Sequence, residues 1–183
     1  MTHTHPAPLQ EPSPHELYED AIAAHGPALV RLARSYEADP DRRQDLLQEI
    51  HFALWRSFGS YDGRCSMRTW TYRVAHNVAA SHVLRHRRRG ARALVSLDAL
   101  EVPSHAIDGE RVTGQRLNHE WLHALLRQLR PLDRQLMLLY LEGFDAASIG
   151  EVSGLSSGNV TTKIHRIKKI LSDRAREGGH HVE

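Results

Sequence analysis

Apolar residues recur along most of this chain at steps of three and four, and period-two alternation is nearly absent, so the pattern predicts helices and no sheet. From His15 to about Ala38 the positions Leu17, Ile22, Leu29, Leu32 and Ala33 give a helical stripe, with a break expected at Gly26-Pro27, where Pro27 opens a new helix. Asp39-Pro40-Asp41 ends that segment and caps the next, in which Leu47, Ile50, Leu54 and Phe58 face one way. Turn residues fill Gly59 to Ser66. A long helix then runs from Met67 to about Arg89 with Trp70, Tyr72, Val74 and Val78. The period lapses from Gly90 to about Gln115. It resumes with Leu122, Leu125 and Leu129, and again after Pro131, up to Gly143. Ala147, Ile149 and Val152 mark a short helix that Gly154 breaks. Ser156 or Ser157 is then a candidate N-cap for a helix with the stripe Val160, Ile164, Ile167 and Leu171.

Two short helices joined by a Gly-containing turn describe a helix-turn-helix. The fold class expected is therefore all-α, with two small helical domains joined by a flexible linker. The boundaries are a disordered arm at 1–14, a first domain at 15–90, a linker at 91–115, a second domain at 116–176 and a tail at 177–183. The linker is assigned because a structureless stretch of that length is unusual inside one compact domain, and because Asp98, Glu101, Asp108 and Glu110 outnumber Arg92 and Arg111 in it.

Composition changes the picture in three places. No stretch approaches the roughly 18 apolar residues of a membrane span, and the first residues contain no apolar leader segment, so a cytoplasmic protein is expected. The single Cys65 has no internal disulfide partner, which fits a reducing compartment. The net charge of +2 conceals an asymmetry: ten arginines stand against four acids between Asp41 and Gly90, which points to a polyanion partner such as nucleic acid.

Three surfaces stand out as candidates for chemistry. On the last helix Asn159, Thr162, Lys163, Arg166 and Lys169 lie opposite the apolar stripe, an amide, hydroxyl and cationic set suited to base edges and phosphates in a major groove; the alternative is a solvated basic face. On the helix from Asp41, Phe52 falls among Asp45, Gln48, Glu49 and Arg56 with Trp55 on its flank. It is either a protein docking site or a ring covered by a neighbouring helix. On the long helix, Trp70 and Tyr72 precede Arg85, His86, Arg87, Arg88 and Arg89, and aromatics interleaved with Arg hold single strands by stacking and phosphate pairing. Trp70 by itself reads more readily as core.

His119-Glu120-Trp121-Leu122-His123 spells HExxH, the pattern of two zinc-binding His and a water-activating Glu. With 14 histidines in the chain such spelling arises readily by composition, and only Glu142 offers itself as a third ligand. No metal or other cofactor is assigned, and the chain is expected not to be an enzyme.

These features together resemble a bacterial sigma factor of the extracytoplasmic-function group of the sigma-70 family, the small type with only regions two and four. The resemblance spans about 15–171. It rests on Ala28 to Arg34, on Asp45-Leu46-Leu47-Gln48-Glu49, Leu54-Trp55, Arg68-Thr69-Trp70 and Tyr72 to Asn77, then on Leu129-Arg130-Pro131, Arg134, Glu142-Gly143, Ile149, Gly158-Asn159-Val160 and His165-Arg166. It implies a dissociable specificity subunit that takes core RNA polymerase to particular promoters and assists strand opening.

On that resemblance Asp45, Gln48, Glu49, Phe52 and Trp55 would dock on the clamp helices of the largest polymerase subunit. Tyr61 in its loop, with Arg68, Trp70, Arg73, His76 and Asn77, would take flipped bases of the minus-ten element, and Arg85, Arg87 and Arg88 its phosphates. Ser157, Asn159, Thr162, Lys163, His165, Arg166 and Lys169 would read the minus-thirty-five element, held near the polymerase flap. The linker would thread the active-site and RNA-exit channels, and an anti-sigma factor is implied as a further partner.

The chain departs from the family pattern at Ser81-His82, where Asp-His is usual, at His76, where Arg is usual, and at Ser148, where an acid is usual. His76 suggests minus-ten binding sensitive to pH. The readings set against the sigma factor are a stand-alone helix-turn-helix regulator, which would bind operator DNA without polymerase, and more distantly an HExxH zinc hydrolase.

Overall fold

The computed structural model describes residues 12–94 and 114–177, which form seven α-helices and a 3-10 turn. In chain order the helices are α1 (Pro14–Tyr36), α2 (Pro40–Ser57), α3 (Met67–Leu94), α4 (Gly114–Gln128), α5 (Pro131–Leu141), α6 (Ala146–Ser153) and α7 (Ser157–Glu177), with the turn at Phe58–Ser60. The expected linker at 91–115 and arm at 1–14 lie largely outside the described residues, as does the tail beyond Glu177.

Local chemistry sets the helix ends. Ser13 and Glu16 form a reciprocal capping box at the start of α1, and the Asp39 carboxylate accepts from the Asp41 and Arg42 amides at the start of α2. The break expected at Gly26-Pro27 does not occur: α1 runs through Pro27. Pro27 stays exposed, while Ala21 on one side of it and Ala28, Leu29 and Leu32 on the other are buried along the same face, so packing offsets the cost of the missing backbone bond.

The first lobe is the bundle α1–α3, with Leu29, Leu32, Ile50, Leu54, Phe58, Tyr72, Ala75 and Ala79 inside. On α2 the buried stripe starts at Leu46 rather than Leu47, which is only half-buried. The second lobe is α4–α7, with Leu126, Leu136, Leu139, Ile149, Val160, Ile164 and Ile167 inside. Its helix-turn-helix is as the sequence predicts, except that Ala146 packs inward and Ala147 faces out. Asp145 caps α6 through the Ser148 amide at 2.7 Å, Gly154 ends it in the left-handed region at φ 76°, and Ser156 caps α7 through the Asn159 amide. Gly150 lets the Leu155 carbonyl approach so closely that a Cβ there would stand 2.6 Å from it.

The buried Arg134 locks α4 to α5. Its guanidinium donates to the Leu126 and Leu129 carbonyls, at 3.0 and 3.2 Å, and to that of Arg127, closing the C-terminal end of α4.

The two lobes are not held apart. α4 packs on α1 and α6 on α3, and the buried residues of both lobes form one connected cluster. That cluster leaves Phe52 and Arg85 outside it.

Candidate functional site

The outer face of α2 carries the largest apolar exposure of the first lobe. Phe52 is 64% and Trp55 53% exposed, with ring centroids 6.3 Å apart, and Asp45 and Gln48 lie exposed on the same helix. Among the described residues no helix covers Phe52, which removes the alternative that it is a buried ring. Glu49 is occupied within the chain: Arg85 donates to its carboxylate, and His82 Nδ1 lies 3.6 Å away. Glu49, Phe52, Asn77, Val78, Ser81 and Arg85 line a groove between α2 and α3.

The residues assigned to a single strand divide into four groups. Tyr61 and Trp70 stand together, ring centroids 5.5 Å apart, but each is tied down: the Tyr61 hydroxyl donates to the Cys65 carbonyl at 2.7 Å, and Trp70 Nε1 to Ser57 Oγ at 3.0 Å. Asn77 and Arg85 are exposed, and the side chains of Arg87 and Arg88 lie outside the described residues.

Arg68 and Arg73 turn towards the second lobe. Arg68 donates to the Glu142 carbonyl and lies 4.0 Å over the Phe144 ring, and Arg73 donates to the Glu151 carbonyl at 2.8 Å.

His76 is a correction. It is 1% exposed and shares a 3.0 Å hydrogen bond with the Tyr36 hydroxyl, so it packs between helices and cannot touch a strand. Burial holds its imidazole far below the ordinary value, at about 3, so it remains neutral across pH 6–8 and does not supply the expected pH sensitivity. His82 is equally buried, with Glu37 at 3.7 Å from Nε2 and Glu49 at 3.6 Å from Nδ1. The carboxylates lie on opposite sides of the ring, and neither comes within hydrogen-bond distance of its nitrogens.

The sequence reading missed the junction between lobes. The turn after α5 sets Glu142 against both α1 and α3 and Phe144 against α3. The Glu142 carboxylate accepts two 2.8 Å bonds from Arg31 and one at 3.3 Å from the Tyr72 hydroxyl, while Phe144 meets Tyr72 edge-on with centroids 4.8 Å apart. The bond from Arg31 to Glu142 holds the guanidinium above its ordinary pKa, and burial pushes the Tyr72 phenol up. Farther along, Ser35 and His123 Nδ1 are 2.7 Å apart, Arg127 donates to the Arg34 carbonyl at 2.8 Å, and Arg134 lies over the Tyr36 ring.

This junction engages the residues of the HExxH pattern separately. His123 is buried against Ser35 while His119 is exposed, Glu120 faces Arg34 at 3.7 Å, and Glu142 belongs to Arg31. Among the described residues no three His, Cys, Asp or Glu side chains are grouped to hold a metal ion.

On α7, Ser157, Asn159, Thr162, His165, Arg166 and Lys169 are exposed and Lys163 is half-exposed; Asn159, Thr162, His165, Arg166 and Lys169 turn away from Val160, Ile164 and Ile167, while Ser157 and Lys163 flank that stripe. Lys163 and Arg166 both approach Asp133 of α5, at 3.9 and 3.6 Å. Among the described residues no helix is long and apolar enough to cross a membrane.

Two family models match the chain, Sigma-70 region 2 over residues 21–89 and Sigma-70, region 4 over residues 119–171. It is 25% identical over 136 residues to the ECF RNA polymerase sigma factor SigX of Bacillus subtilis, covering 73% of this chain and 70% of that one. Against the RNA polymerase sigma factor CarQ of Myxococcus xanthus the identity is 29% over 152 residues, covering 82% and 84%. Among solved structures, the sigma factor RpoE of Bartonella quintana, in complex with the anti-sigma factor NepR, superposes with a TM-score of 0.64 at 19% identity, covering 85% of this chain and 94% of that one, which bears on the fold.

Proposed function

The chain belongs to the extracytoplasmic-function group of the sigma-70 family, factors of RNA polymerase that act in transcription initiation, and from that premise we propose which of its surfaces does each part of the work. The first lobe, about 15–90, binds core polymerase through Asp45, Gln48, Phe52 and Trp55. Glu49 joins that set once Arg85 is drawn off. Tyr61, Arg68, Trp70, Arg73 and Asn77 take the unpaired minus-ten strand, with Arg85, Arg87 and Arg88 on its phosphates. The second lobe, about 116–176, reads the minus-thirty-five duplex with Ser157, Asn159, Thr162, Lys163, His165, Arg166 and Lys169. The chain catalyses nothing itself and works in the cytoplasm beside the polymerase.

The observation that carries this reading is the pair of rings standing free on α2. An apolar patch set among charges and amides is worth exposing only where a partner covers it. The partner proposed is the clamp of the largest polymerase subunit, with the flap holding the second lobe. An anti-sigma factor is proposed as a second partner, since the Bartonella relative was crystallised with one.

Arg68 and Arg73 cannot hold the second lobe and a DNA strand at once, so the lobes separate when the holoenzyme engages a promoter. The test is transcription in vitro with purified core polymerase over a genomic fragment library. Discrete start sites that appear only when the chain is added support the reading. Failure to bind core polymerase, or sequence-specific duplex binding without it, overturns it in favour of a stand-alone regulator.

A further inference from the structure

Asp133 takes no part in the surfaces just described, yet it sits behind the reading face of α7. It lies in the first turn of α5, next to Arg134, whose three bonds to the end of α4 fix the backbone at that point. Its side chain is 13% exposed, too withdrawn to face DNA itself. One carboxylate oxygen lies 3.9 Å from Lys163 Nζ and the other 3.6 Å from an Arg166 terminal nitrogen, and Arg166 is 60% exposed beyond that contact. Lys163 and Arg166 are three residues apart, hence neighbours on one helix face.

Long cationic side chains sample many rotamers, and a guanidinium discriminates a base only when its fork is presented in the plane of the base edge. A carboxylate fixed to a second helix restricts that sampling for both cations. It also lowers their attraction for any phosphate, which carries no sequence information. We propose that Asp133 is a positioning residue for promoter choice: by holding Arg166 and Lys163 from behind, it orients their donors towards base edges and withholds them from indiscriminate backbone contact. The proposal rests on the assignment of α7 to the minus-thirty-five element.

A purely structural Asp133, stapling α5 to α7, would lower stability when removed and leave base preference alone. The experiment therefore reads preference and stability separately. Holoenzyme is assembled with the full chain, and its affinity is measured on a promoter recovered by in vitro transcription and on the same promoter with a scrambled minus-thirty-five element, across a salt series. Asp133→Asn keeps the size of the side chain and removes its charge.

The ratio of native to scrambled affinity is expected to fall about tenfold, within the discrimination of one good base contact. Affinity for scrambled DNA should rise, and the salt slope should steepen by about one phosphate equivalent. In an Arg166→Ala, Lys163→Ala background Asp133→Asn should change the ratio no further. A ratio unmoved by Asp133→Asn in a variant of unchanged melting temperature overturns the proposal. So does a parallel loss on both DNAs with a lowered melting temperature. A wild-type ratio of one is a different result, since it removes the assignment of α7 itself.

Discussion

Arg31 on α1 grips Glu142, beyond the end of α5, with two parallel 2.8 Å bonds across 111 positions of sequence, and so joins the first lobe to the second. Paired forks of this kind combine charge with fixed geometry. Glu142 also accepts from Tyr72, and its backbone carbonyl accepts from Arg68, so one residue gathers three side chains of the opposite lobe.

Glu142→Gln should therefore loosen the lobes without unfolding either. Arg31 is half-exposed, so solvent screening keeps the contribution of the pair to about 1 kcal/mol. Small-angle scattering of the free chain should show a larger radius of gyration for the variant than for the wild type. Equal radii at low salt would mean that Arg31 and Glu142 do not hold the junction.

Phe52→Ala should leave the melting temperature within a degree or two of wild type, because an exposed ring contributes little to the fold. Affinity for core polymerase should fall by about tenfold or more if the ring fills a pocket on the partner. Titration of labelled chain with core polymerase reads the effect directly.

Acid should weaken the fold through His76. Its folded value of about 3 lies below the ordinary 6.5, so the unfolded chain takes up a proton that the folded chain refuses. Its contribution is complete above pH 6.5 and is lost as pH falls towards 3, with a slope of at most about 1.4 kcal/mol per pH unit. Urea denaturation at pH 7, 6 and 5 should show that slope, and His76→Gln should flatten it. Promoter opening between pH 6 and 8 should be indifferent to this residue.

Arg134→Met should destabilise the second lobe by about 3 kcal/mol, because the carbonyls of Leu126, Arg127 and Leu129 lose a charged donor in a buried place. Gly154→Ala should cost about 1 kcal/mol through its left-handed φ alone. Thermal denaturation followed by circular dichroism measures both, and Arg134→Met should have the larger effect.

The helices and the helix-turn-helix were legible in the sequence because both rest on local physics: caps such as Asp39 and Asp145, the stop at Gly154, and apolar steps of three and four. Register was harder. Leu46 and Leu47 are equally apolar neighbours, as Ala146 and Ala147 are equally small ones, so periodicity could not decide which of each pair turned inward. Pro27 misled for the opposite reason, since a strong local signal was overridden by packing on either side of it.

The exposure of Phe52 could be read because a ring among acids and amides breaks the helical stripe. Nothing local distinguishes the buried His76 and His123 from surface histidines, because their partners Tyr36 and Ser35 are 40 and 88 positions away. Distance likewise hid the role of Glu142, which the sequence offered only beside Gly143 and as a spare ligand for HExxH, because its partner Arg31 lies 111 positions away.

The engagement of Arg68 and Arg73 by the second lobe has a consequence for how the unbound chain meets the chromosome. A competitor tethered to the same molecule acts at an effective concentration on the order of millimolar, whatever the dilution in the cell. Bulk DNA held only through its backbone binds with dissociation constants of roughly 0.1 mM to 1 μM. On the proposed role of Arg68 and Arg73 in taking DNA, an internal contact of millimolar strength or better competes with bulk DNA for these two arginines, and the free subunit would then stay available for polymerase instead of being soaked up by the genome it is meant to search.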